Sequence, residues 1–264
     1  MTLTVALDPA DEAASVLHQT VLASLPDRFR VTTGPGADVV LVSGDQPGWR
    51  QHALDADGAR AIVLTGTQAL TAAAVRDLVK ELSTLVTACP VYGASRAWSA
   101  ALPQLTPDVT DSAVLDSIST APSLRAALVD QLAVIRPLVG DPQDLKTAHA
   151  SGDCYVLAGV VQGLTVTLAG ALSSARRLDL DLVGTLGHWH AGLDADALAL
   201  PARISVSDAD GERVLPPLYE SPRRAAWTAL HDALHGGAPL PYAAAQLADD
   251  LAVAEAALGP GAQS

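Results

Sequence analysis

Two segments decide the fold of the N-terminal part of the chain: ADVVLVSG, residues 37–44, and ARAIVLTG, residues 59–66. Each contains a continuous run of apolar, mostly β-branched residues without polar alternation, as expected of a strand buried on both faces. Apolar residues at helical spacing precede and follow them. Because parallel strands need crossover connections, which are usually helical, this alternation predicts a parallel sheet with helices. The other elements predicted here are helices at 11–25 and 71–86 and strands at 3–7, 29–34 and 87–93.

From Tyr155 onward the hydrophobic period changes to two. GLTVTLAG (163–170) and RLDLDLVG (177–184) alternate apolar with polar residues, and ARISVSDADGERVL (202–215) has the pattern of two strands joined by an Asp-Gly turn. Such alternation predicts an antiparallel sheet with one buried face. The remaining predictions are a polar, turn-rich stretch at 103–123 and helices at 123–138, 222–235 and 243–258.

These patterns divide the chain into two predicted domains. Residues 1–95 form an α/β domain with a parallel sheet, and residues 96–264 form an α+β domain with an open antiparallel sheet and flanking helices. A chain of 264 residues with 49% hydrophobic and 17% charged residues is long and apolar enough to bury a core in both.

Charge and composition exclude several classes of partner. A net charge of −13 should repel nucleic acid and anionic lipid, so we expect neither as a partner. No apolar run approaches the roughly 20 residues of a membrane helix, and no secretory signal is visible. With two cysteines and no CxxC spacing, we expect free thiols and a cytoplasmic location.

Four segments, in order along the chain, resemble one family. They are ADVVLVSGD (37–45), AIVLTGTQALTAAAVRDL (61–78), LDLVGTLGHWHAGLDAD (180–196) and LHDALHGGAPLPYAAAQLADDLAVAEAAL (230–258). These are similar to the fourth-strand segment, the Glu-Lys-Pro region, the Gly-Thr-x-Gly strand and the C-terminal end of the glucose-fructose oxidoreductase, inositol dehydrogenase and MocA-type (Gfo/Idh/MocA) family. The resemblance implies a Rossmann-like N-terminal domain, NAD(P)-dependent oxidation or reduction of sugars or inositols, and homo-oligomers joined through the open sheet.

Three positions depart from the pattern of that family. The turn that should be glycine-rich reads Asp8-Pro9-Ala10-Asp11-Glu12, whose carboxylates would repel a pyrophosphate. Thr65-Gly66-Thr67 stands in place of Glu-Lys-Pro, and a glycine has no titratable group for acid–base work. Counting back from Gly140 places Asp130 where the family has its catalytic histidine and Ala126 where it has the paired aspartate.

The departures favour one functional hypothesis over two others. The first is a non-catalytic binding or structural subunit, with a catalytically complete relative as one candidate partner. The second is an active NAD(P)-dependent oxidoreductase with an altered cofactor site and acid–base groups such as Tyr92 or Asp130. The third is a small-molecule sensor, which a ligand would stabilise without turnover.

Strand-end residues are the candidate ligand cleft. Ser43, Gly44 and Asp45 follow one buried strand and Thr65 and Gly66 follow the next, at the edge where α/β sheets bind ligands. We expect them to line a cleft together with Asp8. A capped turn is the alternative interpretation, because strand ends use the same residue types.

Histidines offer weaker metal candidates. His188 and His190 alternate along a predicted strand and could share a face, with Asp194 or Asp196 as a third ligand, but two histidines leave a coordination sphere half empty. The alternative is a turn at the end of the sheet. His231 and His235 have i, i+4 spacing, which also suits the C-terminal end of a helix. We therefore predict no metal site.

Overall fold

The computed structural model describes residues 1–105, 113–185, 187–194, 200–240 and 242–259. The strands are β1 Leu3–Ala6, β2 Phe29–Thr32, β3 Val39–Ser43, β4 Ala61–Thr65, β5 Leu85–Ala88, β6 Val114–Ala121, β7 Lys146–Ala150, β8 Cys154–Val161, β9 Leu164–Leu172, β10 Arg177–Val183, β11 His188–Asp194, β12 Arg203–Asp208 and β13 Gly211–Val214. The helices are α1 Glu12–Ala23, α2 Trp49–Asp55, α3 Ala72–Glu81, α4 Arg96–Leu105, α5 Leu124–Val139, α6 Pro222–Gly236 and α7 Ala244–Leu258.

The five N-terminal strands form a parallel sheet in the order β2-β1-β3-β4-β5. Its core packs Leu3 and Val5 of β1 against Phe29 of β2 and against Trp227 and Leu230 of α6. The predicted fold class is therefore confirmed for this sheet.

The other eight strands form a second sheet in the order β13-β12-β11-β10-β6-β9-β8-β7. Its pairs are antiparallel apart from β6 and β9, which run parallel. Leucines 178, 180 and 182 of β10 are fully buried on one face, and α5 packs on that face over β6 and β9. The predicted open, mostly antiparallel sheet with flanking helices is confirmed.

The chain divides into two compact units. The first consists of Met1–Pro90 and Arg223–Leu251, and the second of Val91–Pro222 and Ala252–Ser264. The sequence-based division placed everything after residue 95 in one domain, whereas compactness groups 223–251 with the N-terminal sheet. The division into functional domains stays a prediction.

Several predicted elements need correction. The helix predicted at 71–86 ends at Glu81, and the next strand is 85–88 instead of 87–93, because Leu85 and Val86 pair with β4. The stretch predicted as polar and turn-rich, 103–123, contains the strand β6. Helices α2 and α4 and strand β7 were not predicted. None of the helices in the described ranges is long and apolar enough to cross a membrane.

Candidate functional site

Asp8 follows β1 and lies at the point where the order of the parallel strands reverses. Ligands of α/β sheets bind in the crevice outside this point. The Asp8 side chain is buried, and its Oδ2 accepts a hydrogen bond from the Ser43 N–H at 2.7 Å. Its Oδ1 accepts another from the Ala10 N–H at 2.9 Å. The carboxylate thus joins the ends of β1 and β3 from within the protein.

Asp11 closes the N-terminal end of α1. One carboxylate oxygen accepts the Ala14 N–H at 2.9 Å as a helix cap, and the other accepts the Ser43 hydroxyl at 2.6 Å. Burial raises the pKa of Asp11, but hydrogen bonds from Ser43, Ala14 and Gln46 outweigh it and leave that pKa below its ordinary value. A negative charge therefore stands where the helix would attract an anion.

His52 of α2 is the third titratable group at this crevice. Its Nδ1 lies 3.2 Å from Asp8 Oδ2, which places the imidazole against a buried carboxylate. About a third of the His52 side chain is exposed, with a relative exposure of 32%, against 2% for the Asp8 side chain. The Asp8 carboxylate orients the imidazole through Nδ1, and part of the ring stays accessible to solvent.

The remaining strand-end candidates contact one another. Gly44 N–H donates to the Thr65 carbonyl at 2.6 Å, and Asp45 Oδ1 accepts the N–H groups of Thr67 and Gln68, both at 2.8 Å. Gly66 has a φ of +72°, and a Cβ there would lie 2.4 Å from the Asp45 carboxyl group. The structure brings Gly44, Asp45, Thr65 and Gly66 together, and the hydrogen bonds of Gly44 and Asp45 go to neighbouring main-chain groups at this edge of the sheet. Whether they bind a ligand stays a prediction.

The acid–base candidates Asp130 and Tyr92 belong to the second compact unit. Asp130 lies on α5, buried, and accepts the Val91 N–H at 3.0 Å. Its other carboxylate oxygen lies 3.4 Å from Arg176 Nη1. Tyr92 is also buried, with 1% of its surface exposed. Asp130 is thus buried and ion-paired with Arg176.

His188 and His190 converge on one carboxylate. His188 Nε2 and His190 Nδ1 lie 2.8 and 3.1 Å from Asp181 Oδ1 on the neighbouring strand. Both histidines lie in β11, so the alternative interpretation as a sheet-end turn is wrong. Asp194 lies at the far end of β11, and Asp196 falls outside the described residues. Among the described residues, no three His, Cys, Asp or Glu side chains are placed to hold a metal ion.

The second histidine pair lies at the end of α6. The His231 and His235 rings stack with centroids 4.2 Å apart, and His235 Nδ1 lies 2.9 Å from the His231 carbonyl oxygen. This is a local contact in the last turn of a helix, where histidine interacts favourably with the helix dipole.

An open cleft of about 570 Å³ lies in the first unit, where sequence reasoning did not place one. Its lining residues come from β1, the β2–β3 connection, β3, and α2 with the turn after it: Ala6, Gly34, Pro35, Gly36, Ala37, Asp38, Val40, His52, Asp55, Ala56, Asp57, Gly58, Ala59 and Arg60. The predicted residues Asp45 and Thr65 do not line it. The length of the β2–β3 connection was the available signal, because the six residues 33–38 are too few for the usual crossover helix.

Comparison with solved structures gives matches over nearly the whole chain at low sequence identity. UDP-N-acetylglucosamine 3-dehydrogenase GnnA from Acidithiobacillus ferrooxidans matches with a TM-score of 0.71 at 13% identity, covering 97% of each chain. A 3-ketoreductase from Actinomadura kijaniata in complex with NADP matches with a TM-score of 0.68 at 13% identity, covering 97% of this chain and 96% of that chain. Aldose-aldose oxidoreductase from Caulobacter crescentus matches with a TM-score of 0.77 at 13% identity, covering 97% of this chain and 98% of that chain.

These structural neighbours are Gfo/Idh/MocA-type oxidoreductases. The chain has the fold of the Gfo/Idh/MocA-type oxidoreductases. No family model matches it, and no curated protein matches it by sequence. The resemblance inferred from sequence is confirmed at the level of the Gfo/Idh/MocA fold.

Proposed function

We propose that this chain is a non-catalytic binding or structural subunit with a Gfo/Idh/MocA-type fold. The observation that carries the proposal is the carboxylate pair Asp8 and Asp11 at the start of α1. Their carboxylate oxygens accept the N–H groups of Ala10 and Ala14, which in a dinucleotide site would be candidates to face a pyrophosphate. The first turn then has no place for a dinucleotide in the usual pose.

The negative charge at this turn also opposes dinucleotide binding. The pKa of Asp11 is lowered, so its carboxylate is ionised at neutral pH, and a phosphate about 4 Å away would be repelled by roughly 4 kcal/mol at an effective dielectric constant near 20. Turning Asp8 away from Ser43 to make room at this turn would leave the buried Ser43 N–H without its partner. Both effects oppose binding of NADH and NADPH.

The alignment made from the sequence also supports the proposal. It places Gly66, which packs over Asp45 and has no side chain to transfer a proton, where the resemblance implies the lysine. It places Asp130, which contacts Val91 and Arg176, where the resemblance implies the histidine. The proposal therefore assigns the two-domain body to binding or assembly instead of hydride transfer.

Calorimetric titration with NADH and NADPH tests this proposal. We expect no heat and no thermal shift for the purified protein at millimolar cofactor. Asp11→Ser keeps a capping oxygen and removes the charge, and weak cofactor heat should appear in that variant alone. Asp27→Asn removes the same charge from an exposed loop and is the matched control. Tight binding by the unsubstituted protein, with turnover of an added sugar or inositol, would establish the competing NAD(P)-dependent oxidoreductase.

The proposal includes a homo-oligomer, a dimer or larger, joined through the eight-stranded sheet. What supports it is the outer face of that sheet, where Ile118, Val160 and Val183 are 60%, 58% and 49% exposed. A catalytically complete relative is the other candidate occupant, and we propose a cytoplasmic location as the sequence predicts.

Size-exclusion chromatography with light scattering tests the oligomer. Ile118→Asp places a charge in the middle of the outer face and should yield a monomer. Val16→Asp, on the exposed side of α1 with a similar exposure of 56%, is the matched control and should leave the oligomer unchanged. A monomeric unsubstituted protein would contradict the proposal, and an oligomer that survives Ile118→Asp would move the interface elsewhere.

A further inference from the structure

One face of the five-stranded sheet is covered unevenly. On the face that carries Val40, the neighbouring residues Ile62 and Leu64 of β4 are fully buried. By strand alternation Thr4 and Ala6 of β1 point to the same face, and they are only half-buried, as is Val40 itself. Parallel sheets are normally covered on both faces, so this side of the sheet lacks part of a layer.

The cause is the short β2–β3 connection. A parallel crossover usually takes a dozen or more residues and contains a helix, whereas residues 33–38 cross with six and form no helix. The cleft of about 570 Å³ lies beside this connection, with Ala6 and Val40 as its floor. Small half-buried residues, Ala56 and Ala59, line its other side. Three of these four residues are alanines, whose small side chains allow a helix backbone to approach closely.

The rim of the cleft is acidic. Asp55 and Asp57 among its lining residues are exposed and Asp38 is half-buried, whereas the basic side chains that line it are Arg60 and His52. Asp38 Oδ2 accepts both the N–H and the hydroxyl of Thr4 at 2.8 Å, and these bonds lower the pKa of Asp38. The rim therefore carries a constitutive negative charge at neutral pH.

We propose that this cleft docks a basic amphipathic helix of a partner protein, which completes the missing layer of the sheet. Its small apolar residues would face Ala6 and Val40, and its lysines or arginines would face Asp55 and Asp57. A second copy of this chain is disfavoured because it too carries a net charge of −13, whereas the rim of the cleft is acidic. The cleft shares His52 with the crevice at Asp8, but the docking depends on Ala6, Val40 and the acidic rim and does not require that the crevice be free of a dinucleotide.

Fluorescence anisotropy with a synthetic peptide tests the docking. The probe is a 16-residue capped peptide with Ala and Leu at i, i+3, i+4 and i+7 positions and Lys elsewhere. A scrambled peptide of the same composition keeps the charge and loses the apolar stripe. We expect saturable binding of the patterned peptide, about tenfold tighter than that of the scrambled one. Amide hydrogen exchange should slow in 34–38 and 52–60 upon binding.

Surface variants test the acidic rim without disturbing the core. The double variant Asp55→Asn and Asp57→Asn should weaken patterned-peptide binding about fivefold. Asp27→Asn with Asp153→Asn changes the net charge equally at exposed sites outside the cleft and should change affinity by less than about twofold. Equal binding of the scrambled peptide, or equal weakening by both double variants, would overturn the proposal. Spermidine binding of the same affinity would also overturn it, in favour of a small-cation site.

Discussion

His18 is a buried histidine whose charge state is coupled to folding. It is 1% exposed and accepts the Trp227 indole N–H at Nδ1, 3.0 Å away. Burial, with a smaller contribution from the charge of Arg223, lowers the pKa of His18 from 6.5 to about 4. The hydrogen bond from Trp227 to His18 thus joins α6 to α1, and it requires a neutral imidazole because only an unprotonated Nδ1 can accept it.

Acidification should destabilise the protein through this group. Below pH 6.5 the unfolded chain binds a proton that the folded protein takes up only near pH 4. The contribution of His18 is therefore complete above pH 6.5, falls as the pH approaches 4 and is constant below that. A shift of this size corresponds to about 3 kcal/mol in the free energy of unfolding. Urea unfolding at a series of pH values measures the loss.

The variant His18→Asn isolates the effect. Its side-chain oxygen can accept the Trp227 N–H, and it does not titrate. We expect the stability of this variant to fall by about 3 kcal/mol less than that of the unsubstituted protein between pH 6.5 and 4. His149→Asn, at an exposed histidine, should follow the unsubstituted curve. Parallel curves for His18→Asn and the unsubstituted protein would show that His18 does not carry the linkage.

The site residues show what single positions reveal in a sequence. Patterning predicted that Asp8, Ser43 and Thr65 lie at neighbouring strand ends, and they do. It could not predict that the Asp8 carboxylate turns inward to the Ser43 N–H, because that choice depends on a partner 35 residues away. His52 could not be predicted as a site residue for the same reason, because only its contact with Asp8 places it there.

Strands β8 and β9 are locked to α5 by one aromatic ring. Tyr155 and Gly170 are directly paired across the two strands, and a Cβ at Gly170 would lie 2.2 to 2.4 Å from atoms of the Tyr155 side chain. The Tyr155 hydroxyl donates to Gln131 Oε1 at 2.6 Å. Gln131 Nε2 in turn donates to the Ser117 and Ala169 carbonyls at 3.1 and 3.0 Å. The absence of a side chain at Gly170 leaves space for the Tyr155 ring. The hydroxyl of that ring donates a hydrogen bond to the buried Gln131 amide.

Gly170→Ala should therefore disturb the packing of α5 on the sheet. We expect a loss of about 1 to 3 kcal/mol in the free energy of unfolding, as for overpacking of a core. Gly152→Ala introduces the same methyl group at an exposed glycine with no atom within 4 Å and should change stability by less than about 0.5 kcal/mol. Urea denaturation compares the two, and equal stabilities would mean that the ring moves aside at little cost.

The Tyr155–Gln131 network also explains a failed prediction. Strand β6 was not found because its buried face carries Ser117 and Ser119, while Ile118 is exposed. Prediction from periodicity assumes that apolar residues point inward. Here Ser117 points inward instead, and its hydroxyl and carbonyl oxygens accept hydrogen bonds from Gln131. The leucine strand β10, with no buried polar partner to satisfy, followed the usual rule and was predicted correctly.

The chain returns to its first compact unit after building the second. Residues 223–251 bring Trp227 and Leu230 into the core of the parallel sheet, where the Trp227 ring packs edge-on against Phe29 at 5.2 Å. Tyr242 adds main-chain contacts, its carbonyl accepting the Ala88 N–H at 3.2 Å and the Thr87 hydroxyl at 2.9 Å. Local patterns predicted both C-terminal helices but gave no information on which sheet α6 covers.

Cutting the chain at the sequence-based boundary should therefore fail to give a folded domain. A fragment of residues 1–95 loses the α6 side of its core, and loss of a buried tryptophan alone costs roughly 3 to 5 kcal/mol. We expect no cooperative thermal unfolding for this fragment in circular dichroism. A fragment joining residues 1–90 to 223–251 through a Gly/Ser linker restores the core and should unfold cooperatively. If residues 1–95 alone melted cooperatively at the same temperature, α6 would cover that sheet without stabilising it.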